Sequence, residues 1–292
     1  MARDTGARPP APPADRVASD SGAVSPAGAP DDLRALLEQV TAAASWLRWR
    51  IVDAPPRARL LDRAVATPAV DLAEGELSCA ALAGDPETLA AAVVTSGEGR
   101  GSDDLGVLAS LWWQGYAYRV AGTALACWLL TGRAPDVRAD GMAVGVSRSR
   151  PSSVAFLPGA DAPTADLPVF CDRLFAGHLD LVAASLRARH TVGAQLVWGN
   201  VAAACASAAG AVRHAVRDGW SQGVEAFAAA APHDLASLGE WSCSAPGDAD
   251  GEWSYQRRTC CLWWKTAASG GALCSDCSLH RGGRPPHADV AG

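Results

Sequence analysis

Apolar residues recur at helical spacing along most of this chain, which predicts a mainly α-helical protein. An Asp-capped leucine pattern predicts an amphipathic helix over 32–50. Further helices are predicted over 86–94, 105–131, 170–188, 192–216 and 221–231. Two short apolar runs, 142–146 and 153–157, flank a polar turn and predict two strands. The expected fold class is therefore mainly α with a small β element (α+β).

Composition suggests four parts along the chain. Residues 1–31 are rich in Pro, Ala and Gly, which is typical of a disordered tail. Residues 32–247 carry the helical pattern and form the expected body. A polar, glycine-containing stretch leads into a cysteine-bearing C-terminal segment, 248–283, and residues 284–292 form a second flexible tail.

Charge and hydropathy limit the partners and the location. A net charge of -6 argues against a nucleic-acid binder, because neutralising phosphates needs a basic surface. No secretory signal pattern opens the chain. The longest apolar run, 192–212, is interrupted by Gln195 and Asn200, so we expect no stable membrane insertion. A cytoplasmic, reducing location follows, in which cysteines serve as metal ligands or core residues.

The glycine-rich stretch 97–101 invites comparison with a dinucleotide-binding loop. It lacks the third glycine of the G-x-G-x-x-G pattern, and we interpret it as a flexible turn. No other stretch matches a nucleotide fingerprint. Any electrons for a redox reaction must therefore come from a separate donor.

Four of the nine cysteines fall within eighteen positions near the C-terminus. Cys260 and Cys261 are adjacent, and twelve residues separate them from Cys274 and Cys277. Four thiolates match the ligand count of Cys₄ zinc and iron–sulfur sites. Zinc ribbons normally use two C-x-x-C pairs, so the adjacent pair favours a [2Fe–2S] cluster while zinc remains open. The isolated cysteines are expected to be small core residues: Cys79, Cys127, Cys171, Cys205 and Cys243.

Motifs in two parts of the chain resemble those of the FhuF-type ferric-siderophore reductases. The C-terminal signature runs from Arg257-Arg258-Thr259-Cys260-Cys261-Leu262 to Cys274-x-Asp276-Cys277-x-Leu279. Upstream stretches at 114–119 and 196–202 are similar as well, so the resemblance spans roughly 32–280. It implies a cytoplasmic protein whose four cysteines bind a [2Fe–2S] cluster. The gap of twelve residues is longer than the usual ten, but closing the longer loop costs only about 0.2 kcal/mol.

Basic and aromatic residues flank the cysteines. We interpret Arg257, Arg258, Trp263, Trp264 and Lys265 as candidates for tuning the cluster, since positive charge stabilises its reduced state and indoles shield it from water. The alternative is that they are ordinary surface charges and core tryptophans. Where the family often has other aromatics and an arginine after the cysteine pair, this chain has Trp263, Trp264 and Lys265.

The resulting hypothesis is one-electron reduction of a cytoplasmic ferric siderophore, which releases Fe(II). A ferredoxin or a flavoprotein reductase would supply the electron. Trp198 and Asn200 are candidates for the substrate pocket, although Asn200 could instead only join two helices. Two other functions remain open, a zinc-stabilised binding protein without redox activity and an iron–sulfur electron carrier or sensor.

Overall fold

The computed structural model describes residues 32–52, 75–97, 99–147, 150–216, 219–243 and 253–280. The predicted tails, 1–31 and 284–292, lie outside these residues. The fold is mainly α-helical with two small sheets, which confirms the predicted class.

Eight helices labelled α1 to α8 build the described body, and most lie where the periodicity predicts them. They are α1 (Leu33–Ala43), α2 (Cys79–Gly84), α3 (Pro86–Thr95), α4 (Leu105–Thr131), α5 (Leu167–Leu174), α6 (Asp180–Arg189), α7 (Ala194–Val212) and α8 (Trp220–Ala230). Asp32 caps α1 by accepting a hydrogen bond from the Ala35 amide, as predicted. Gly132, at a φ of 72°, ends α4 in the left-handed conformation that favours glycine.

Helices α4 and α7 form the centre of the core. The 27 residues of α4 are apolar on nearly every side, as expected for a helix surrounded by other elements. Its Gly122 faces α7, and a Cβ there would lie 3.3 Å from Ala208 Cβ. Small residues at this crossing let the two helices approach closely. The C-terminal segment contacts both of these helices.

A four-stranded sheet covers one side of the helices, in the order β1-β4-β3-β2. Its strands are β1 (Trp49–Ile51), β2 (Glu76–Ser78), β3 (Met142–Ser147) and β4 (Arg150–Phe156). The β3–β4 hairpin confirms the two predicted strands. Strand β1 runs parallel to β4, and β2 runs antiparallel to β3.

The predicted helix over 32–50 is wrong in its last turns, because α1 ends at Ala43 and Trp49 begins β1. Pairing with β4 satisfies the backbone of this stretch, and Arg50 forms an ion pair with Glu76 on β2. The Trp49 indole N–H also donates to Thr41 Oγ1 at 2.6 Å. These contacts with distant strands outweigh the local helical pattern, which sequence periodicity cannot detect.

The predicted helix over 170–188 is interrupted by one π-helical turn, Phe175–Leu179. This turn directs the fully buried His178 into the core. His178 Nδ1–H donates to the Val137 carbonyl, and the Tyr116 hydroxyl donates to His178 Nε2, both at 2.5 Å. The π-helical turn therefore places His178 where it can form a buried hydrogen bond with Tyr116 of α4.

We expect the stability of the protein to fall between about pH 6.5 and about pH 4 because of His178. Burial lowers the pKa of His178 to about 4, whereas an unfolded histidine titrates near 6.5. The unfolded chain therefore binds a proton first as pH falls, and up to roughly 3 kcal/mol of stability is lost across that window. Urea unfolding at several pH values would measure this slope. His178→Gln should flatten the slope, and the exposed His214→Gln should leave it unchanged.

A second hairpin precedes the cysteines and was not predicted. Strand β5 (Gly239–Cys243) pairs antiparallel with β6 (Trp253–Arg257). The predicted boundary between body and cysteine segment falls between these strands, in residues outside the described ranges. The hairpin therefore connects the two predicted parts. Its last residue, Arg257, precedes the cysteine pair by three positions.

Candidate metal centre

The cysteine segment packs against α7 at a glycine. Thr259, which precedes the cysteine pair, lies so close to Gly199 that a Cβ on this glycine would sit 1.9 Å from Thr259 Oγ1. Gly199 therefore provides close approach to the cysteine segment. The 196–202 stretch and the C-terminal signature, far apart in sequence, form one contact.

The four clustered cysteines meet as thiols at the end of the hairpin. Cys261 Sγ and Cys274 Sγ lie 3.1 Å apart, too far for a disulfide and close enough for a shared proton. Cys277 lies close enough to Cys260 and Cys261 for both of them to raise the pKa of its thiol. Cys261 and Cys277 are buried, and Cys260 and Cys274 are half-buried. The fold thus brings together all four residues that the sequence singled out.

The thiols of Cys261 and Cys274 are within hydrogen-bonding distance of each other. The hydrogen bond from Cys274 is the main reason why the pKa of Cys261 is lowered, and the Trp263 amide and the charge of Arg257 act in the same direction. The same hydrogen bond, with burial, raises the pKa of Cys274. Burial raises the pKa of Cys277. Metal binding at these thiols must therefore release protons, and it should be favoured at higher pH.

A buried hydrogen-bonded network fixes the cysteine segment to the body. Arg257, 2% exposed, donates from Nε to Asp276 Oδ2 at 2.8 Å and from Nη1 to Asn200 Oδ1 at 3.1 Å. Asn200 Nδ2 donates to the carbonyl and the hydroxyl of Ser110, both at 3.1 Å. The Ser110 hydroxyl then donates to the Cys261 carbonyl at 2.9 Å. The network runs through α7 and α4 and returns to a cysteine.

Backbone amides point at two of the sulfurs. Leu262 N–H lies 3.4 Å from Cys260 Sγ, and Leu279 N–H lies 3.5 Å from Cys277 Sγ. Leu262 has a φ of 70°, an unusual and strained conformation for a leucine, which turns the chain directly after the cysteine pair. Such N–H···S contacts are among the features that tune iron–sulfur clusters.

The glycine-rich turn around 97–101 supports the loop between the cysteine pairs. The carbonyls of Arg100 and Gly101 accept hydrogen bonds from the amides of Ala268 and Ala267, each at 3.1 Å. Gly101 has a φ of 62°, and a Cβ there would approach Ala267 Cβ to 2.7 Å. The sequence indicated only a flexible turn, but this turn holds the lengthened loop in place.

The remaining flanking residues differ in their surroundings. Trp263 is half-buried and packs with Leu262 against Cys261, Val107 and Leu111. Trp264 is 41% exposed, with the Lys265 ammonium 5.9 Å from its ring centroid. Arg258 is exposed and pairs with Glu240 at 3.0 Å. Of the predicted tuning residues, Arg257 and Trp263 therefore lie against the thiols, while the roles of Arg258, Trp264 and Lys265 stay predictions.

The two candidate pocket residues lie in different environments. Asn200 is fully buried and both of its polar atoms are engaged, so a pocket role for it stays a prediction. It joins α4 to the cysteine segment through Ser110 and Arg257. Trp198 is half-buried, and its ring stacks on His233 with centroids 3.7 Å apart and planes 7° from parallel. A substrate role for Trp198 stays a prediction.

The donor set can be compared with what a metal needs. Within the described ranges, no group of three or more His, Cys, Asp or Glu side chains surrounds a position for a single metal ion. The four thiols instead approach in pairs, and a [2Fe–2S] cluster has two irons, each needing two protein ligands. A structural zinc ion would need all four thiolates around one centre. The four thiols, arranged in two pairs, supply the number and kind of ligands that either centre needs.

Sequence reasoning missed several residues of the site. Ser110 was unremarkable in an apolar helix, and Asp276 stood out only as the single acidic residue among basic neighbours. Gln114 and Tyr118, one helical turn apart on a mostly apolar helix, gave a usable signal of a shared polar face. They line a cavity beside the cysteines.

Helix α7 is long and apolar enough to be a candidate membrane span, the one such helix in the part of the chain that the structure describes. In this fold 67% of the apolar window is buried inside the protein. That burial is also what a core helix shows, so the finding is weak evidence for a membrane span.

Comparison with known proteins gives one family match. The family model described as "Ferric iron reductase FhuF-like transporter" matches residues 110–236. This region begins at Ser110 and contains Asn200, but it ends before the four clustered cysteines. None of the curated proteins matches the chain significantly.

Proposed function

We propose that this chain is a [2Fe–2S] ferric-siderophore reductase, on the premise that the FhuF-like ferric iron reductase family model matches its residues 110–236. One observation carries the proposal. Four thiols meet beside the buried Arg257, and that arginine is bonded to Asn200 within the family-matched region. The candidate redox centre and the ferric reductase body thus share one hydrogen-bonded network.

The proposed reaction transfers one electron to a ferric chelate. Cys260, Cys261, Cys274 and Cys277 would hold a [2Fe–2S] cluster, which would supply one-electron chemistry for the conversion of Fe(III) to Fe(II). A ferredoxin or a flavoprotein reductase would supply each electron. The chelate then holds the Fe(II) more weakly and releases it. We propose the cytoplasm as the location, because the thiolates have to remain reduced until the cluster is assembled.

The chain's own residues prepare the centre in three ways. Arg257 places positive charge beside Cys261 and Cys274, which favours their thiolate forms. Val107, Leu111 and Trp263 pack against Cys261 and limit the access of water to its sulfur. The amides of Leu262 and Leu279 offer hydrogen bonds to the other two sulfurs. The charge of Arg257 and the two amides favour a centre that must take up negative charge, whereas the apolar packing at Cys261 opposes added charge and protects the sulfur from water.

Replacing Cys274 with alanine is expected to abolish Fe(II) release from ferric chelates. One iron would lose a ligand, so the cluster should not assemble or persist. The assay supplies a chemical reductant and traps Fe(II) with a chromogenic chelator. The matched control is Cys127→Ala in the core of α4, which should retain the wild-type rate.

Two results would contradict the proposal. Equal Fe(II) release by wild type and Cys274→Ala would remove the cysteine centre from the reaction. A cluster-loaded wild-type protein that reduces no ferric chelate would instead indicate an electron carrier or sensor.

A further inference from the structure

A cavity of ≈ 280 Å³ opens beside the cysteine segment, between α4, α7, the start of β4 and the turn after Cys261. Its polar and aromatic lining comes from Arg100, Gln114, Tyr118, Arg150, Ser207 and Trp263. These residues are distant in sequence, and only the fold brings them together. None of their side chains belongs to the buried network of Arg257, Asn200 and Ser110.

The cavity contains two arginines without an anionic partner among the described residues. Arg100 is 8% exposed, and its Nη1 donates to the Ser96 carbonyl at 3.1 Å and to the Ser96 hydroxyl at 2.8 Å. Arg150 is exposed at the cavity wall. No carboxylate in the described ranges lies within ion-pairing distance of either guanidinium. Burial, and then the charge of Arg150, lower the pKa of Arg100, so the two groups are close enough to repel.

Two neutral donors add to this cationic lining. The Tyr118 hydroxyl and the Gln114 amide lie on the same face of α4, one helical turn apart. An anion with several oxygens would find two guanidinium groups, a hydroxyl and an amide in one concave site. Guanidinium groups bind planar oxygen anions through pairs of N–H donors. In a chain with a net charge of -6, this is an unusual concentration of unpaired positive charge.

The same cavity adjoins the thiols. Leu111 and Trp263 line it, and both also pack in the cluster of side chains around Cys261. A ligand in the cavity would therefore be separated from the Cys261 environment by a single layer of side chains. A volume of ≈ 280 Å³ suits a compact chelate or the iron-bearing part of a larger one.

We propose that this cavity binds the iron-bearing part of ferric chelates with net negative charge, through anionic oxygens that contact Arg100 and Arg150. The inference rests on the proposed reductase function, and it adds a location and a charge class for the substrate. Carboxylate and catecholate chelates share these anionic oxygens. A neutral hydroxamate chelate lacks the net charge and should bind more weakly.

The test measures binding without redox chemistry. Gallium(III) replaces Fe(III), since it has the same charge and is not reduced under these conditions. Titration calorimetry compares Ga(III)–citrate, a Ga(III) tris-catecholate and a neutral Ga(III) tris-hydroxamate on the full chain. Arg150→Gln is expected to weaken binding of the anionic chelates about tenfold, because it removes a charge-assisted hydrogen bond and a bond of this kind contributes about that much to affinity. High salt should weaken it too.

Two further variants complete the design. Arg187→Gln removes the same charge from an exposed position on α6 outside the cavity and should bind like wild type. Ser207→Trp places a large side chain at the exposed wall of the cavity and should block all three chelates without removing an arginine. Ser207 is exposed, so the substitution should not disturb folding, and it tests the location of the binding site independently of either arginine.

The outcomes separate this inference from the reductase proposal. Equal affinity for neutral and anionic chelates, or unchanged binding by Arg150→Gln and Ser207→Trp, would overturn the cavity assignment. If the cluster-loaded protein still reduces ferric chelates in that case, the reductase function stands alone. If anionic chelates bind in an Arg150-dependent way but none is reduced, the anion site stands and the reductase proposal fails.

Discussion

Replacing Arg257 with glutamine is expected to lower the free energy of unfolding by about 3 kcal/mol and to prevent stable cluster binding. The side chain is buried and holds Asp276 and Asn200 at once. Its removal leaves the Asp276 carboxylate without its cation and Asn200 Oδ1 without a donor. The Asp276 side chain is 19% exposed, so water can hydrate part of the carboxylate that loses its cation. The expected loss of stability therefore lies at the lower end of the range for a broken buried ion pair.

The adjacent residue provides the control for Arg257. Arg258 is exposed and pairs with the exposed Glu240, so Arg258→Gln should change stability by less than about 0.5 kcal/mol. Urea unfolding would measure both variants, and iron content after anaerobic reconstitution would measure cluster binding. Similar effects of the two substitutions would show that the buried network does not hold the cysteine segment. Arg257→Lys should rescue little, because an ammonium cannot reproduce the two-sided guanidinium contacts.

Replacing Gly199 with alanine is expected to destabilise the protein by about 2 kcal/mol and to reduce iron binding. Alanine is the better helix former, so an increase in stability would be expected from helix propensity alone. The new Cβ would instead lie 1.9 Å from Thr259 Oγ1 and 3.0 Å from Thr259 Cβ. Either α7 or the residue next to the cysteine pair must therefore move.

Two comparisons test this explanation of Gly199. Gly84, the last residue of α2, has no atom within 4 Å of an added Cβ, so Gly84→Ala should not lower stability. Adding Thr259→Ala to Gly199→Ala removes the hydroxyl that clashes and should restore part of the lost stability. Thermal unfolding and iron content would measure all three variants. A double mutant no better than Gly199→Ala would place the cause elsewhere.

Local pattern was sufficient for most of the helical body. The apolar periodicity of α3, α4, α7 and α8, and the caps at Asp32 and Gly132, depend on neighbours within a turn or two. Strand β1 depends on pairing with β4, about a hundred residues away, so local periodicity predicted a helix there. The β5–β6 hairpin was missed for a related reason, because its two strands are short and separated by a polar stretch.

The same distinction between nearby and distant partners applies to the candidate site. The four cysteines were evident because they cluster in the sequence. The partners of Asn200 were not, since Ser110 and Arg257 lie 90 and 57 residues away from it. A buried asparagine indicated only that some hydrogen-bond partner was required. The arginine cavity could not be predicted, because it combines a turn, two helices and a strand end.

The central claim is that the four thiolates hold a two-iron cluster, and metal analysis of anaerobically purified protein tests it most directly. The account predicts two iron atoms and two sulfides per chain, and visible absorption that is bleached by dithionite with a signal in electron paramagnetic resonance. A colourless protein that contains one tightly bound zinc ion per chain would contradict it.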